Sequence, residues 1–251
     1  MDENGASTLS RPHSSIFVHS SPFIGNANYF RTMEKQPRKH PLILPPSGGY
    51  EKLVSYQVAQ LLYDVTVRFV DRYIPMGSRT SDQMEQAARS GVRNIAEGSK
   101  ISATTKKLEL NLTSVARASL DELRKDYESY LGHRKLPLWA PMDQRRKELS
   151  NARCKDADEV SRWIKTLWER EQTARMAAPE MPRTARTPVT VKDRAYAEIS
   201  ANVGQTLCRI AMHLLDKQVD SQARAFEKDG GFSERLYKVR SEARNKHVHR
   251  D

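Results

Sequence analysis

Cysteine is scarce in this sequence, which has only Cys154 and Cys208 among its 251 residues. The two lie far apart and neither belongs to a CxxC pair, so the spacing indicates neither a disulfide framework nor a zinc motif. We expect both residues to be free thiols in a reducing compartment.

Long apolar runs are missing as well. No stretch approaches the ~20 apolar residues that a membrane-spanning helix needs. The N-terminus carries Asp2 and Glu3 instead of the positive charge and apolar segment of a secretory signal. We therefore expect a cytoplasmic protein with no membrane partner.

Motifs of the common enzyme classes are absent from the sequence. There is no Walker loop, no nucleophile elbow and no glycine-rich turn after a strand. The seven histidines are scattered, without the spacing of a metal site. We predict a protein that is not an enzyme, with no catalytic residues, no metal and no cofactor.

Glycine is infrequent, with 11 residues, whereas 29% of the residues are charged. This composition and the apolar spacing predict an all-α fold, an antiparallel up-and-down helical bundle with additional C-terminal helices. We divide the chain into a disordered N-terminal tail at 1–41, a four-helix-bundle domain at 42–140, a polar helix and Pro-containing linker at 141–188, and a helical suffix domain at 189–251. The sequence leaves open which segment supplies the fourth bundle helix.

The bundle is organised around a predicted helix that starts near Thr80. Steps of four and three residues give a seam of mostly small side chains, which implies close approach of a partner helix: Met84, Ala88, Gly91, Ile95 and Gly98. Thr80, Ser81 and Asp82 are its predicted N-cap candidates. The next helix is predicted from about Thr104 to Leu131, and its predicted apolar positions are Leu108, Leu112, Val115, Leu123 and Tyr127.

Polar residues next to the seam suggest a lock between the helices. A carboxylate beside a packed seam is costly unless it is paired, so we predict that Glu97, near Asn94, pairs with Arg117 on the following helix. The role of these residues would be structural.

The net charge is +11, and each quarter of the chain carries a small share of the excess. The sharpest functional signal is a predicted basic ridge on the helix face opposite the seam: Arg79, Arg89, Arg93 and Lys100, extended by Lys106 and Lys107. Such a ridge binds phosphates without sequence preference. A solvated helix face is the alternative, and no aromatic residue is interleaved with the ridge.

Two segments carry a family resemblance. The run from Gln86 to Gly98, which includes Asn94-Ile-Ala-Glu-Gly98, and the run Val115–Leu123 resemble the bacterial four helix bundle protein family. That family includes proteins encoded in intervening sequences of 23S rRNA genes and accessory proteins of diversity-generating retroelements. The resemblance covers roughly 42–139, and a later stretch from Ala201 to Tyr237 is similar to the suffix domain of some members.

The resemblance implies a homo-oligomer, since the retroelement accessory proteins form pentamers, and a partnership with a reverse transcriptase and its nucleic acid. Together with the basic ridge, it leads us to expect a nucleic-acid-binding accessory protein that binds RNA or an RNA–DNA hybrid. The alternative from another class is a helical protein interaction module that binds no nucleic acid.

Overall fold

The computed structural model describes residues 48–177 and 188–248. In these ranges a 3-10 turn at Tyr50–Lys52 precedes seven α-helices and there is no strand, which confirms the all-α prediction. The helices are α1 (Val54–Tyr73), α2 (Arg79–Ile101), α3 (Lys106–His133), α4 (Gln144–Ala152), α5 (Ala157–Ala177), α6 (Pro188–Asp229) and α7 (Phe232–Val248). The predicted tail and residues 178–187 of the predicted linker lie outside the described residues.

Four helices form the bundle. In the order α1, α2, α3 and α6, each packs against the next, and α6 closes the ring against α1. Contacts run in opposite directions along neighbouring helices: Glu109 near the start of α3 binds Gln222 near the end of α6, whereas Tyr127 further along α3 faces Gly204. The bundle is therefore antiparallel.

The fourth bundle helix is α6, which the sequence analysis assigned to the suffix domain. It shares one core with α1, α2 and α3, and the described residues, 48–177 and 188–248, form one compact unit. The core therefore extends across both predicted boundaries, after residues 140 and 188. The largest fully buried apolar side chains of the four bundle helices are Leu62, Met84, Ile95, Leu120, Leu123, Tyr127, Leu131, Ile199 and Leu215.

The predicted seam of α2 is buried in full. A Cβ atom added to Gly91 would lie 2.5 Å from Cδ2 of Leu120, and one added to Gly98 would lie 3.4 Å from the carbonyl oxygen of Glu109. Small side chains are thus required for α3 to approach α2 this closely.

The predicted start of α2 was two residues late, since Ser78 is the N-cap and its Oγ accepts a hydrogen bond from the Thr80 N–H at 3.3 Å. The preceding helix ends before Pro75, which cannot continue it, and Gly77 turns the chain with φ of 76°. This turn places Ser78 at the helix entry.

The predicted apolar face of α3 is wrong by one position in its first half. Leu108 and Val115 are 43% and 48% exposed, whereas Glu109, Thr113 and Ala116 are buried. Burial of Glu109 is possible because its carboxylate accepts hydrogen bonds from Lys106 Nζ at 2.9 Å and from Gln222 Nε2 at 3.1 Å.

A second layer covers the outer side of α6. The single polar helix predicted within 141–188 is two helices, because Arg153 adopts a left-handed conformation with φ of 47° between α4 and α5. Leu136 and Trp139 also pack onto the bundle, and the backbone N–H of Trp139 donates to Asn202 Oδ1 at 2.7 Å. As a consequence, every residue from 201 to 208 is buried, whichever side of α6 it lies on.

Candidate nucleic-acid interface

The ridge side chains of α2 point away from the core. Arg79, Arg89, Arg93 and Lys100 are all exposed, while the seam on the opposite side of the same helix is buried. The helical period that buries the small residues is what aligns these cations on the outer face.

All four ridge cations of α2 lack a carboxylate within salt-bridge distance among the described residues: Arg79, Arg89, Arg93 and Lys100. Lys100 Nζ lies 5.2 Å from the centre of the Tyr50 ring. The 3-10 turn that contains Tyr50 is tied to α2 by the Gly48 N–H, which donates to the Ser99 carbonyl at 3.2 Å. The fold therefore places an aromatic ring beside the ridge, although no aromatic residue is interleaved with it in the sequence.

The two lysines predicted to extend the ridge differ. Lys107 is exposed, whereas Lys106 is partly buried and paired with Glu109 at 2.9 Å. Lys106 thus serves to neutralise a buried carboxylate, and Lys107 is the member of the pair whose side chain faces solvent.

Acidic residues limit the ridge at its first end. A groove of about 710 Å³ between α2 and α3 is lined by Arg79 together with Asp82, Glu122 and Asp126. Burial raises the pKa of Asp126, and the negative charge of Glu122 raises it further. Glu97 is an exposed carboxylate one turn after Arg93. The acidic neighbours of Arg79 leave the positive surface densest from Arg89 to Lys107, at the end where α2 turns into α3, and Glu97 offsets part of the charge within that stretch.

The predicted lock between Glu97 and Arg117 is wrong. Glu97 is exposed, and Arg117 instead forms a salt bridge with Asp216 of α6. Other polar side chains connect α2 to α3. Asn94 Nδ2 donates to Ser90 Oγ at 3.1 Å, and Ser90 Oγ accepts a hydrogen bond from Ser119 Oγ of α3 at 3.1 Å. Asn94 thus takes part in a helix-to-helix connection, but through hydroxyls.

A buried polar group on α6 escaped the sequence analysis. Asn202 Nδ2 donates to the Pro137 carbonyl at 2.9 Å, and Gln205 bridges Arg146 of α4 and Glu128 of α3. The signal that could have revealed it is an Asn and a Gln within an otherwise apolar stretch of helix, since such residues are buried only when their hydrogen bonds are made.

Neither a metal cluster nor a membrane helix emerges from the part of the chain that the structure describes. Within 48–177 and 188–248, no group of three or more His, Cys, Asp or Glu residues could hold a metal ion. No helix in those ranges combines the length and apolar character needed to cross a membrane.

The chain matches no protein-family model, and comparison with curated proteins and with solved structures gives no match either.

Proposed function

We propose that this chain is a non-enzymatic nucleic-acid-binding accessory protein and that it binds through the outer face of α2. The observation that supports the proposal is the exposure of Arg89, Arg93 and Lys100 on one helix face, with Lys107 beyond the turn. Arg89 and Arg93, which have no carboxylate partner in the described residues, keep their full charge available for phosphates.

The dimensions of the ridge suit a sequence-independent contact. Arg79 and Lys100 are 21 residues apart, so the ridge is about 32 Å long at ~1.5 Å per residue. Nucleic-acid strands present phosphates at regular intervals along such a length, and each cation that contacts one releases counterions. The resulting affinity would depend strongly on salt and little on base sequence.

RNA or an RNA–DNA hybrid is the proposed ligand. The resemblance of 86–98 and 115–123 to the four helix bundle protein family extends the proposal to a homo-oligomer, a pentamer by that likeness, and to a reverse transcriptase as protein partner. Repetition of the ridge around an oligomer would multiply the positive field that attracts nucleic acid.

Charge reversal tests the proposal. We expect Arg89→Glu with Arg93→Glu to keep the helical content and melting temperature of the wild type, because exposed substitutions shift stability by about 0.5 kcal/mol or less. Affinity for RNA and for an RNA–DNA hybrid should fall, and the slope of log affinity against log salt should decrease by roughly 1 to 2.

A matched control separates the ridge from net charge. Arg224 and Lys228 are exposed on α6 with the same four-residue spacing, so their double reversal to Glu changes the net charge equally. Binding should survive this control. Equal losses in the two variants, or equal salt slopes in the wild type and the ridge variant, would contradict the proposal.

Exposed apolar residues support the second candidate, a protein interaction module. Leu108 and Val115 lie seven residues apart, on one face of α3, and are about half exposed. On this reading, the chain binds no nucleic acid even at low salt. Leu108→Gln with Val115→Gln would then abolish self-association or partner binding, which sedimentation measures, without lowering the melting temperature.

A further inference from the structure

Arg146 of α4 is a buried cation that contacts no carboxylate of the described residues. Its residue exposure is 9%, and it donates through Nη1 to Gln205 Oε1 at 2.7 Å and through Nη2 to the Trp139 carbonyl at 2.5 Å. Nε has no hydrogen-bond partner among the described residues. Because both acceptors are neutral, these contacts satisfy Nη1 and Nη2 of the guanidinium but place no carboxylate directly against its charge.

The nearby carboxylates are engaged by other groups. Glu128 accepts hydrogen bonds from Arg124 Nη1 at 2.6 Å and from Gln205 Nε2 at 2.7 Å, and Arg209 Nη2 lies 3.7 Å from it. Asp143 is held by Arg145 at 2.7 Å. Burial lowers the pKa of Arg146 and the positive charge of Arg209 lowers it further, whereas the negative charges of Asp143 and Glu128 act in the opposite direction.

A cavity of about 570 Å³ opens between α4 and α6 where these cations lie. Arg146, Lys147 and Arg209 line it, with His213 beside them, and Asp143 is the one carboxylate in its lining among the described residues. Apolar side chains complete the lining, among them Met142, Ile210 and Leu214. The volume lies in the range of small-molecule sites, ~300 to 1,000 Å³.

We propose that this cavity binds a phosphate monoester that carries an apolar group. The phosphate would lie against Arg209 and Lys147, which are exposed, and the charge of the buried Arg146 would add to their attraction. Three cations favour a dianion over a singly charged carboxylate, and guanidinium groups fit phosphate oxygens. The apolar group would lie on the wall that the partly buried Ile210 and Leu214 provide. The site is built by α4 and α6, whereas the basic ridge is on α2. The proposal of a phosphate site therefore does not depend on nucleic-acid binding.

Phenyl phosphate, inorganic phosphate and benzoate are the probes that test the assignment by calorimetry on the full chain. Phenyl phosphate should bind more tightly than inorganic phosphate, because only the former reaches the apolar wall. It should also bind more tightly than benzoate, which has the ring but a single charge. Equal affinity of benzoate and phenyl phosphate, or no heat of binding at millimolar phenyl phosphate, would overturn the proposal.

Substitutions then locate the site. Arg209→Gln removes an exposed cation of the cavity and should weaken phenyl phosphate binding about tenfold or more, equivalent to about 1.4 kcal/mol. Arg224→Gln, on the same helix but outside the cavity, should leave affinity unchanged. The double variant Lys147→Gln with Arg209→Gln should abolish binding while retaining the wild-type circular dichroism spectrum. It keeps the proposal testable if Arg146→Met, which removes the buried cation, does not fold. Unchanged affinity in the double variant would overturn the proposal.

Discussion

The ring of Tyr127 lies directly against the backbone of Gly204, so that α3 and α6 touch where α3 contributes a tyrosine ring and α6 has no side chain. A Cβ atom on Gly204 would fall 2.6 and 2.7 Å from Cε1 and Cε2 of that ring. The ring is held from the other side, since Tyr127 is fully buried, its hydroxyl is hydrogen-bonded to Thr66 Oγ1 at 3.0 Å, and Phe69 packs edge-on at 5.0 Å. The contact joins three bundle helices.

Substitution of Gly204 by Ala should therefore destabilise the protein. A glycine that is free of packing within a helix gains up to about 1 kcal/mol of stability on replacement by Ala, whereas a clash with a ring that cannot move costs about 1 to 3 kcal/mol. Gly132 of α3, around which a Cβ meets nothing within 4 Å, is the matched control. Denaturant unfolding should give a loss for Gly204→Ala and no loss for Gly132→Ala; a gain in both would contradict the packing described.

Gly91 should respond to the size of the substituent. The atoms that a Cβ would meet belong to the end of the Leu120 side chain, which can change rotamer, so Gly91→Ala should be tolerated better than Gly204→Ala. A leucine at this position is too large for Leu120 to accommodate by changing rotamer, so Gly91→Leu should lower the free energy of unfolding by about 1 to 3 kcal/mol. Equal melting temperatures for the wild type and Gly91→Leu would mean that this position does not face α3.

Arg117 and Asp216 should be coupled, and Arg117 and Glu97 should not. The side chains of the first pair are 43% and 49% exposed, which limits their coupling to about 0.2 to 1 kcal/mol. Double-mutant cycles with Ala measure both values from unfolding free energies. A coupling energy that appears between Arg117 and Glu97, and not between Arg117 and Asp216, would restore the pairing inferred from the sequence.

Asp143 should make the stability depend on pH in the acid range. Hydrogen bonds from the Arg145 side chain hold its pKa below the ordinary value of 3.8. The folded state therefore binds the proton less tightly than the unfolded state, so the stabilisation is complete above 3.8 and is lost as the pH falls through the lowered pKa. Asp143→Asn should be less stable than the wild type at neutral pH, and the difference should shrink on acidification.

Removing Arg145 provides the comparison. In an Arg145→Gln background, the effect of Asp143→Asn should vary less with pH, because the side-chain hydrogen bonds that contribute most to lowering the pKa are gone, while the backbone N–H of residue 145 still donates to Asp143. Unfolding free energies measured by denaturant at several pH values below 5 distinguish the two backgrounds. The same pH dependence in both would exclude Arg145 as the cause.

A feature of the fold could be predicted when the residues that determine it lie close together in the sequence. The seam from Met84 to Gly98 was predictable because small residues at a helical period have one simple structural meaning. The face of α3 was not, since the burial of Glu109 depends on Gln222, which is 113 residues away. No local pattern reports a partner at that distance.

The candidate site divides in the same way. The exposure of Arg89 and Arg93 was predictable because it follows from the seam on the other side of the same helix. The pairing of Arg117 with Asp216 and the nearness of Tyr50 to Lys100 were not, because each depends on how separate segments pack. The role of α6 was missed because a polar stretch and a Pro-rich segment stand between it and α3, which is typical of a domain boundary.

The late position of α6 in the chain also has a consequence for biosynthesis. When α1, α2 and α3 have left the ribosome, residues 134–187 must still be made before the helix that covers Leu62, Leu123 and Tyr127 begins. For that interval the nascent chain presents an open apolar face, and such surfaces promote aggregation and recruit chaperones. A pause in translation within this segment would lengthen the exposure, so codon usage between α3 and α6 should influence the yield of folded protein more than codon usage between α2 and α3.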